Sequence, residues 1–148
     1  MRAVVQRVLR SGVEVNGQTV GQIDGGLLVY LSVSKIDGAG DAEFMADKLV
    51  NLRIFADDSG KMNRSVLDVG GAILLVSNFT LHGDCRKGRR PSFDGAAEAE
   101  SAKQLYEKVS QLIAGQGVMV EKGVFGGHMH ISSVNDGPAT FLLDSKDV

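Results

Sequence analysis

The sequence predicts a single α/β domain with a mostly antiparallel, barrel-like sheet covered by two helices. Three observations lead there. Short β-rich runs separated by tight turns fill the first third of the chain. Two longer segments, 41–52 and 96–114, space their apolar residues as a helix does. The 148 residues are one domain's worth, with no internal repeat and no low-complexity linker, so residues 1–148 form one unit.

Each element has a local cause. Residues 3–9 are β-branched and apolar around Gln6 and Arg7, and Val13 and Val15 alternate with Glu14. Asn16-Gly17 is a hairpin turn because both residues accept positive φ. The chain returns over 19–23, turns at Asp24-Gly25-Gly26, and enters 27–33, apolar enough for a central strand. In the first helix Phe44, Met45, Leu49 and Leu52 make the apolar face, while Asp41 and Glu43 suit its positive end. A short strand at 53–56 precedes the turn Asp57-Asp58-Ser59-Gly60, and 72–76 is a buried strand. The second helix, 96–114, takes its stripe from Ala97, Leu105, Val109 and Leu112. Strands at 118–120, 129–134 and 139–143 close the chain.

Composition narrows the function classes. Hydrophobic residues are 43% and charged residues 23%, which excludes a mainly disordered chain. No apolar run approaches the ~18 residues of a membrane span. The opening Met-Arg-Ala-Val-Val-Gln-Arg-Val carries charges within its apolar stretch and no small-residue cleavage site, so no secretory signal is expected. Cys85 is the single cysteine, which removes intrachain disulfides and four-thiolate metal sites and points to a reducing cytoplasm. With a net charge of −2, any nucleic acid must be met by a local patch.

Several residues invite chemistry. His82 and Cys85 lie three apart in a glycine-flanked loop, where ordinary surface residues are the simpler account than a nucleophile and its base. His128 and His130 would share a strand face and offer two metal ligands, but no pattern supplies a third, which favours surface or interface histidines. Arg86-Lys87-Gly88-Arg89-Arg90 is open between a solvated loop and a phosphate contact, with Phe79 and Phe93 as flat faces for a base. Pro138 stands at the entrance to a strand, and Gly-Pro alone does not fix its isomer, since only ~5% of such bonds are cis. Ser77 and Thr80 could simply close a strand end.

Two of these segments carry a resemblance. Ser77-Asn78-Phe79-Thr80-Leu81 resembles the Ser-Gln-Phe-Thr-Leu motif of D-aminoacyl-tRNA deacylases, also called D-tyrosyl-tRNA deacylases. Asn135-Asp136-Gly137-Pro138-Ala139-Thr140 resembles their Asn-x-Gly-Pro-Val-Thr signature. Gln6-Arg7-Val8, Gly25-Gly26-Leu27-Leu28-Val29, Arg53-Ile54-Phe55, Gly60-Lys61-Met62-Asn63 and Arg90-Pro91-Ser92-Phe93 extend the likeness nearly end to end. Asn78 departs from the usual glutamine, shortening a polar arm by one methylene, and Ala139 replaces valine beside Pro138.

The resemblance implies a cytoplasmic homodimer, without cofactor or metal, that hydrolyses the ester of D-aminoacyl-tRNA and also of glycyl-tRNA mischarged on tRNA-Ala. It implies catalytic roles for Ser77, Asn78, Phe79 and Thr80, with Phe79 near the terminal adenine and Thr80 near the ribose and ester. Gly137 and Pro138 would form a cis loop that enters the partner's cavity, with Asn135 and Arg7 on the substrate side and Arg7 holding the loop. Arg86, Lys87, Arg89 and Arg90 would meet the tRNA. With no side-chain triad in view, the vicinal 2′-hydroxyl of the RNA would assist the reaction, and the loop would exclude L-residues by a clash that cannot relax. The rival classes are a non-catalytic nucleic-acid-binding dimer and a general esterase or amidase.

Overall fold

The computed structural model describes residues 1–147. One long strand organises it. β1 (Arg2–Val15) pairs antiparallel along nearly its whole length with β8 (His130–Asp144) on one edge. On its other edge β1 pairs antiparallel first with β3 (Gly26–Ser32) and then with β2 (Gln18–Ile23). The hairpin turn forms as the sequence predicts, with Asn16 and Gly17 at φ of 51° and 77°.

The far side of the sheet is parallel. β3 pairs with β6 (Ala72–Ser77), and β6 with β7 (Met119–Lys122). Parallel neighbours need crossovers. These contain α1 (Ala39–Asn51) and α2 (Ala99–Gly115). The continuous apolar runs of β3 and β6 are explained by this: strands flanked on both sides and covered on both faces have no polar face to show. β2 meanwhile curls toward β7, so closely that a Cβ on Gly21 would lie 2.6 Å from the Lys122 carbonyl oxygen, and the sheet is nearly a closed barrel. A small hairpin, β4 (Phe55–Ala56) with β5 (Met62–Arg64), stands apart; β5 has no apolar alternation and is not visible in the sequence.

Two cores result. Under the helices lie Ala3, Val5, Leu27, Val29, Leu31, Ile73 and Leu75, against Met45, Leu49, Tyr106, Val109 and Ile113. Inside the barrel are Val8, Val13, Ile23, Leu28, Leu74 and Val76. Both helices differ from expectation in detail. α1 buries Ala42, Met45, Ala46, Leu49 and Val50, while Phe44 is turned outward enough to carry the Lys48 ammonium over its ring at 5.6 Å. Asp41 caps α1 by accepting the Gly38 N–H at 2.9 Å. Burial works against its charge, but hydrogen bonds from Lys146, Ser145 and Gly38 outweigh it and hold the carboxyl well below its usual range. α2 starts three residues late, because Ala96 bridges to Ser34 and the Ala97 N–H donates to the Val33 carbonyl at 3.0 Å. Its buried stripe is Tyr106, Val109, Ser110 and Ile113.

Tyr106 ties α2 to the central sheet by donating to the Leu75 carbonyl at 2.7 Å, and burial pushes its phenol up. Tyr106→Phe is expected to cost about 0.5–1.5 kcal/mol, the net worth of one hydrogen bond, because the Leu75 carbonyl keeps the Gly123 N–H at 3.1 Å; urea unfolding of the two proteins measures the difference.

Candidate active site

β6 runs out of the core into Ser77, and the Asn78 N–H donates to the Leu31 carbonyl at 2.8 Å, holding the exit beside β3. The chain then tightens into a 3₁₀ turn, Phe79–His82. Inside the turn the Thr80 hydroxyl donates to Asn78 Oδ1 at 2.5 Å. At its end His82 Nδ1 meets Ser32 Oγ at 2.6 Å, and burial, with Arg2 nearby, pushes the imidazole pKa down. The turn is therefore fastened at both ends. Phe79 is left 57% exposed, its ring edge-on to Phe93 at 5.0 Å between centroids.

Beside the turn opens a mainly apolar cavity of about 510 Å³, lined by Tyr30, Ser32, Ser77, Asn78, Phe79, Tyr106, Phe125, His128 and Met129 among others. It lies between the ends of β3 and β6, the start of α2, and the loop before β8. A nucleobase-sized group fits such a space, with the Ser77 hydroxyl and the Asn78 amide along one wall.

A second group forms where β8 leaves its ladder. Gln6 pairs with Thr140 and Val8 with Asn135, so the single residue Arg7 stands opposite the four residues 136–139. The bulge carries Gly137 and Pro138, joined by a cis peptide bond and both exposed. Arg7 grips it from below: Nε is 2.8 Å from Asp136 Oδ2 and 3.2 Å from the Asp136 carbonyl, and Nη1 donates to the Ile54 carbonyl. Asn135 ties its neck, donating through Nδ2 to the carbonyls of Arg7 at 2.9 Å and Ala139 at 3.3 Å. A Cβ on Gly137 would sit 2.6 Å from Asn135 Oδ1.

The basic loop is a third group. Asp84 and Ser92 exchange backbone hydrogen bonds at 2.7 and 3.0 Å, pinching 85–91 into an exposed excursion. Arg86 is neutralised locally, with Nε and Nη2 on the two oxygens of Asp84 at 2.8 and 2.6 Å, and that guanidinium holds the Asp84 carboxyl well below its usual range. Among the described residues Lys87, Arg89 and Arg90 have no carboxylate partner. Cys85 is exposed, and His82 bonds Ser32 rather than the thiol.

Residues 4–144 match the family model described as D-Tyr-tRNA(Tyr) deacylase. The chain belongs to this family. Its similarity to curated proteins runs over full length: 55% identity over 148 residues to the D-aminoacyl-tRNA deacylase of Fervidobacterium nodosum, covering 100% of this chain and 99% of that protein. The D-aminoacyl-tRNA deacylase of Koribacter versatilis is 56% identical over 146 residues, 99% of this chain and 98% of that one. Among solved structures, a c-Myc DNA unwinding element binding protein superposes with a TM-score of 0.91 at 38% identity, covering 97% and 98% of the two chains. A probable eukaryotic D-amino acid tRNA deacylase has the same fold, with a TM-score of 0.81 at 20% identity over 96% and 97%.

For this deacylase-family chain, the motif residues fall into two places. Ser77, Asn78 and Phe79 line the cavity and Thr80 is bonded to Asn78; Arg7, Asn135, Gly137 and Pro138 gather on the β1–β8 bulge and do not line it. The far wall, Tyr30, Ser32, Tyr106, Phe125 and Met129, was not among the sequence candidates; Gly126-Gly127 was the one local sign of a turn there. Among the described residues no group of three or more His, Cys, Asp or Glu is placed to hold a metal, and no helix is long and apolar enough to cross a membrane.

Proposed function

We propose that this protein is a D-aminoacyl-tRNA deacylase that hydrolyses the ester between a D-amino acid and the 3′ end of tRNA, acting in the cytoplasm as a homodimer and as one domain over 1–148. The observation that carries it is the cavity beside the fastened Ser77–Thr80 segment, in a chain of this family with full-length curated relatives named for that activity. The terminal adenosine enters the cavity against Phe79, and the ester lies near Thr80. An aminoacyl ester is already activated, so hydrolysis needs a placed water and donors for the developing oxyanion more than a strong nucleophile. The opening amides of the turn at Phe79 and Thr80 serve as those donors, being unpaired within the turn. The Thr80 hydroxyl, committed to Asn78, orders the wall and does not attack; the RNA 2′-hydroxyl assists.

Chirality is read by the Gly137–Pro138 loop of one protomer entering the cavity of its partner. The loop is exposed, does not line its own cavity and is clasped by Arg7 and Asn135, which suits a rigid probe. Leu142, 81% exposed and paired across the strands with Val4, supplies apolar area beside it for the second copy. An L-side chain strikes the backbone of the loop, whereas D-side chains point outward and glycine has nothing to strike with. Asn135, with its amide donors spent inside the loop, acts on substrate through the loop's shape. Glycyl-tRNA mischarged on tRNA-Ala is accordingly a substrate too.

Incubation with D-tyrosyl-tRNA and L-tyrosyl-tRNA tests the assignment. Only the D-ester is expected to be cleaved; release of both would indicate a general esterase, and release of neither a binder. For the tRNA body, Arg89→Ala with Arg90→Ala should weaken binding and lower the slope of log K against log salt by about 1–2, as expected for the loss of two phosphate contacts. Titrations at several salt concentrations measure it.

A further inference from the structure

The His128–His130 pair is a sequence motif that the deacylase chemistry leaves unused. Both residues are exposed, in the extended segment that enters β8, and of the three histidines only His82 is hydrogen-bonded among the described residues. Their ring centroids are 5.2 Å apart with the planes at 79°. An ion held by two imidazole nitrogens at about 2.0–2.1 Å lies roughly 3.2 Å from each centroid, and a tetrahedral angle then separates the centroids by about 5.2 Å.

Two neutral imidazoles without a carboxylate favour borderline ions such as Zn²⁺ or Cu²⁺ over Mg²⁺ or Ca²⁺. No third protein ligand stands within reach among the described residues, so water fills the remaining positions. His128 also lines the cavity that Asn78 and Phe79 line, which puts the pair at its lip. We propose that His128 and His130 bind one borderline transition-metal ion, and that the hydrated ion obstructs the cavity and inhibits the enzyme. The second half rests on the deacylase assignment; the first does not.

Calorimetric titration of the full chain with ZnCl₂ tests the site directly. One ion per chain is expected, with binding weakened at least ~10-fold in His128→Gln and in His130→Gln and unchanged in His82→Gln. No saturable binding, or parent-like affinity in either lip variant, overturns the site. In the activity arm, Zn²⁺ should inhibit D-tyrosyl-tRNA cleavage at the concentration where it binds. His130→Gln, as active as the parent without zinc, should need at least ~10-fold more. Unaffected or faster cleavage at saturating zinc overturns the obstruction. A chain that binds zinc through both histidines yet never cleaves D-tyrosyl-tRNA overturns the deacylase assignment and the obstruction, and supports the metal site.

Discussion

Gly137→Ala is expected to slow D-tyrosyl-tRNA deacylation on the order of 100-fold, the scale of loss when a positioning element shifts by about 1 Å. The new Cβ would stand 2.6 Å from Asn135 Oδ1, a separation the amide can relieve only by leaving its place. Leaving it costs the hydrogen bonds to Arg7 and Ala139 that close the neck of the loop. Because the loop is exposed, stability should fall by no more than about 2 kcal/mol. The loss would therefore appear in kinetics while circular dichroism stays native. A double-mutant cycle isolates the cause: with Asn135→Ala already present the clash partner is gone, and adding Gly137→Ala should cost far less than it does alone. Full activity in Gly137→Ala would remove the loop from the mechanism.

Gly26→Ala should act in the opposite way, on the fold. Gly26 opens β3 exactly opposite Ala72 in the parallel pairing, and an added Cβ would overlap the Ala72 carbonyl oxygen and lie 2.8 Å from its nitrogen. Both obstacles are backbone, so relief requires parting the two strands at the centre of the sheet. A cost of about 3 kcal/mol or more follows from such overpacking. For a chain of this size that lowers Tm by on the order of 10 °C. The neighbouring Gly25 is an internal control: a Cβ there meets nothing within 4 Å, and Gly25→Ala should melt close to the parent. Equal melting of the two variants would contradict the pairing.

Much of this architecture can be read from the chain because its signals are local. The Asn16-Gly17 turn needs only two residues that tolerate positive φ, and β3 and β6 declare double-sided burial through uninterrupted apolar runs. What cannot be read is set by partners distant in sequence. The start of α2 moves because Ala97 finds the Val33 carbonyl, and the parallel pairing of β3 with β6 depends on crossovers rather than on either strand's composition. The segments 129–134 and 139–143, separate in the sequence, form one strand because β1 runs past both and lets 136–139 bulge. At the site, Ser77–Thr80 stands out as a motif, but the opposite wall, from Tyr30 to Met129, is assembled from three stretches with no shared pattern. Likewise nothing in the run of cations around Gly88 shows that Arg86 is spent on Asp84 while its neighbours are not.

The clasp on the bulge comes from Arg7, in the middle of the strand that pairs with three others. A surface turn usually frays on its own, at little free-energy cost, and a lid or flap depends on that independence. Here the anchor's own backbone is paired with Leu27 of β3, and its neighbours Gln6 and Val8 are paired with Thr140 and Asn135 at the two feet of the loop, so those feet cannot part without opening the ladder of β1. The feet of the loop consequently belong to the same cooperative unit as the barrel, and their amides are expected to exchange with the protection of global unfolding.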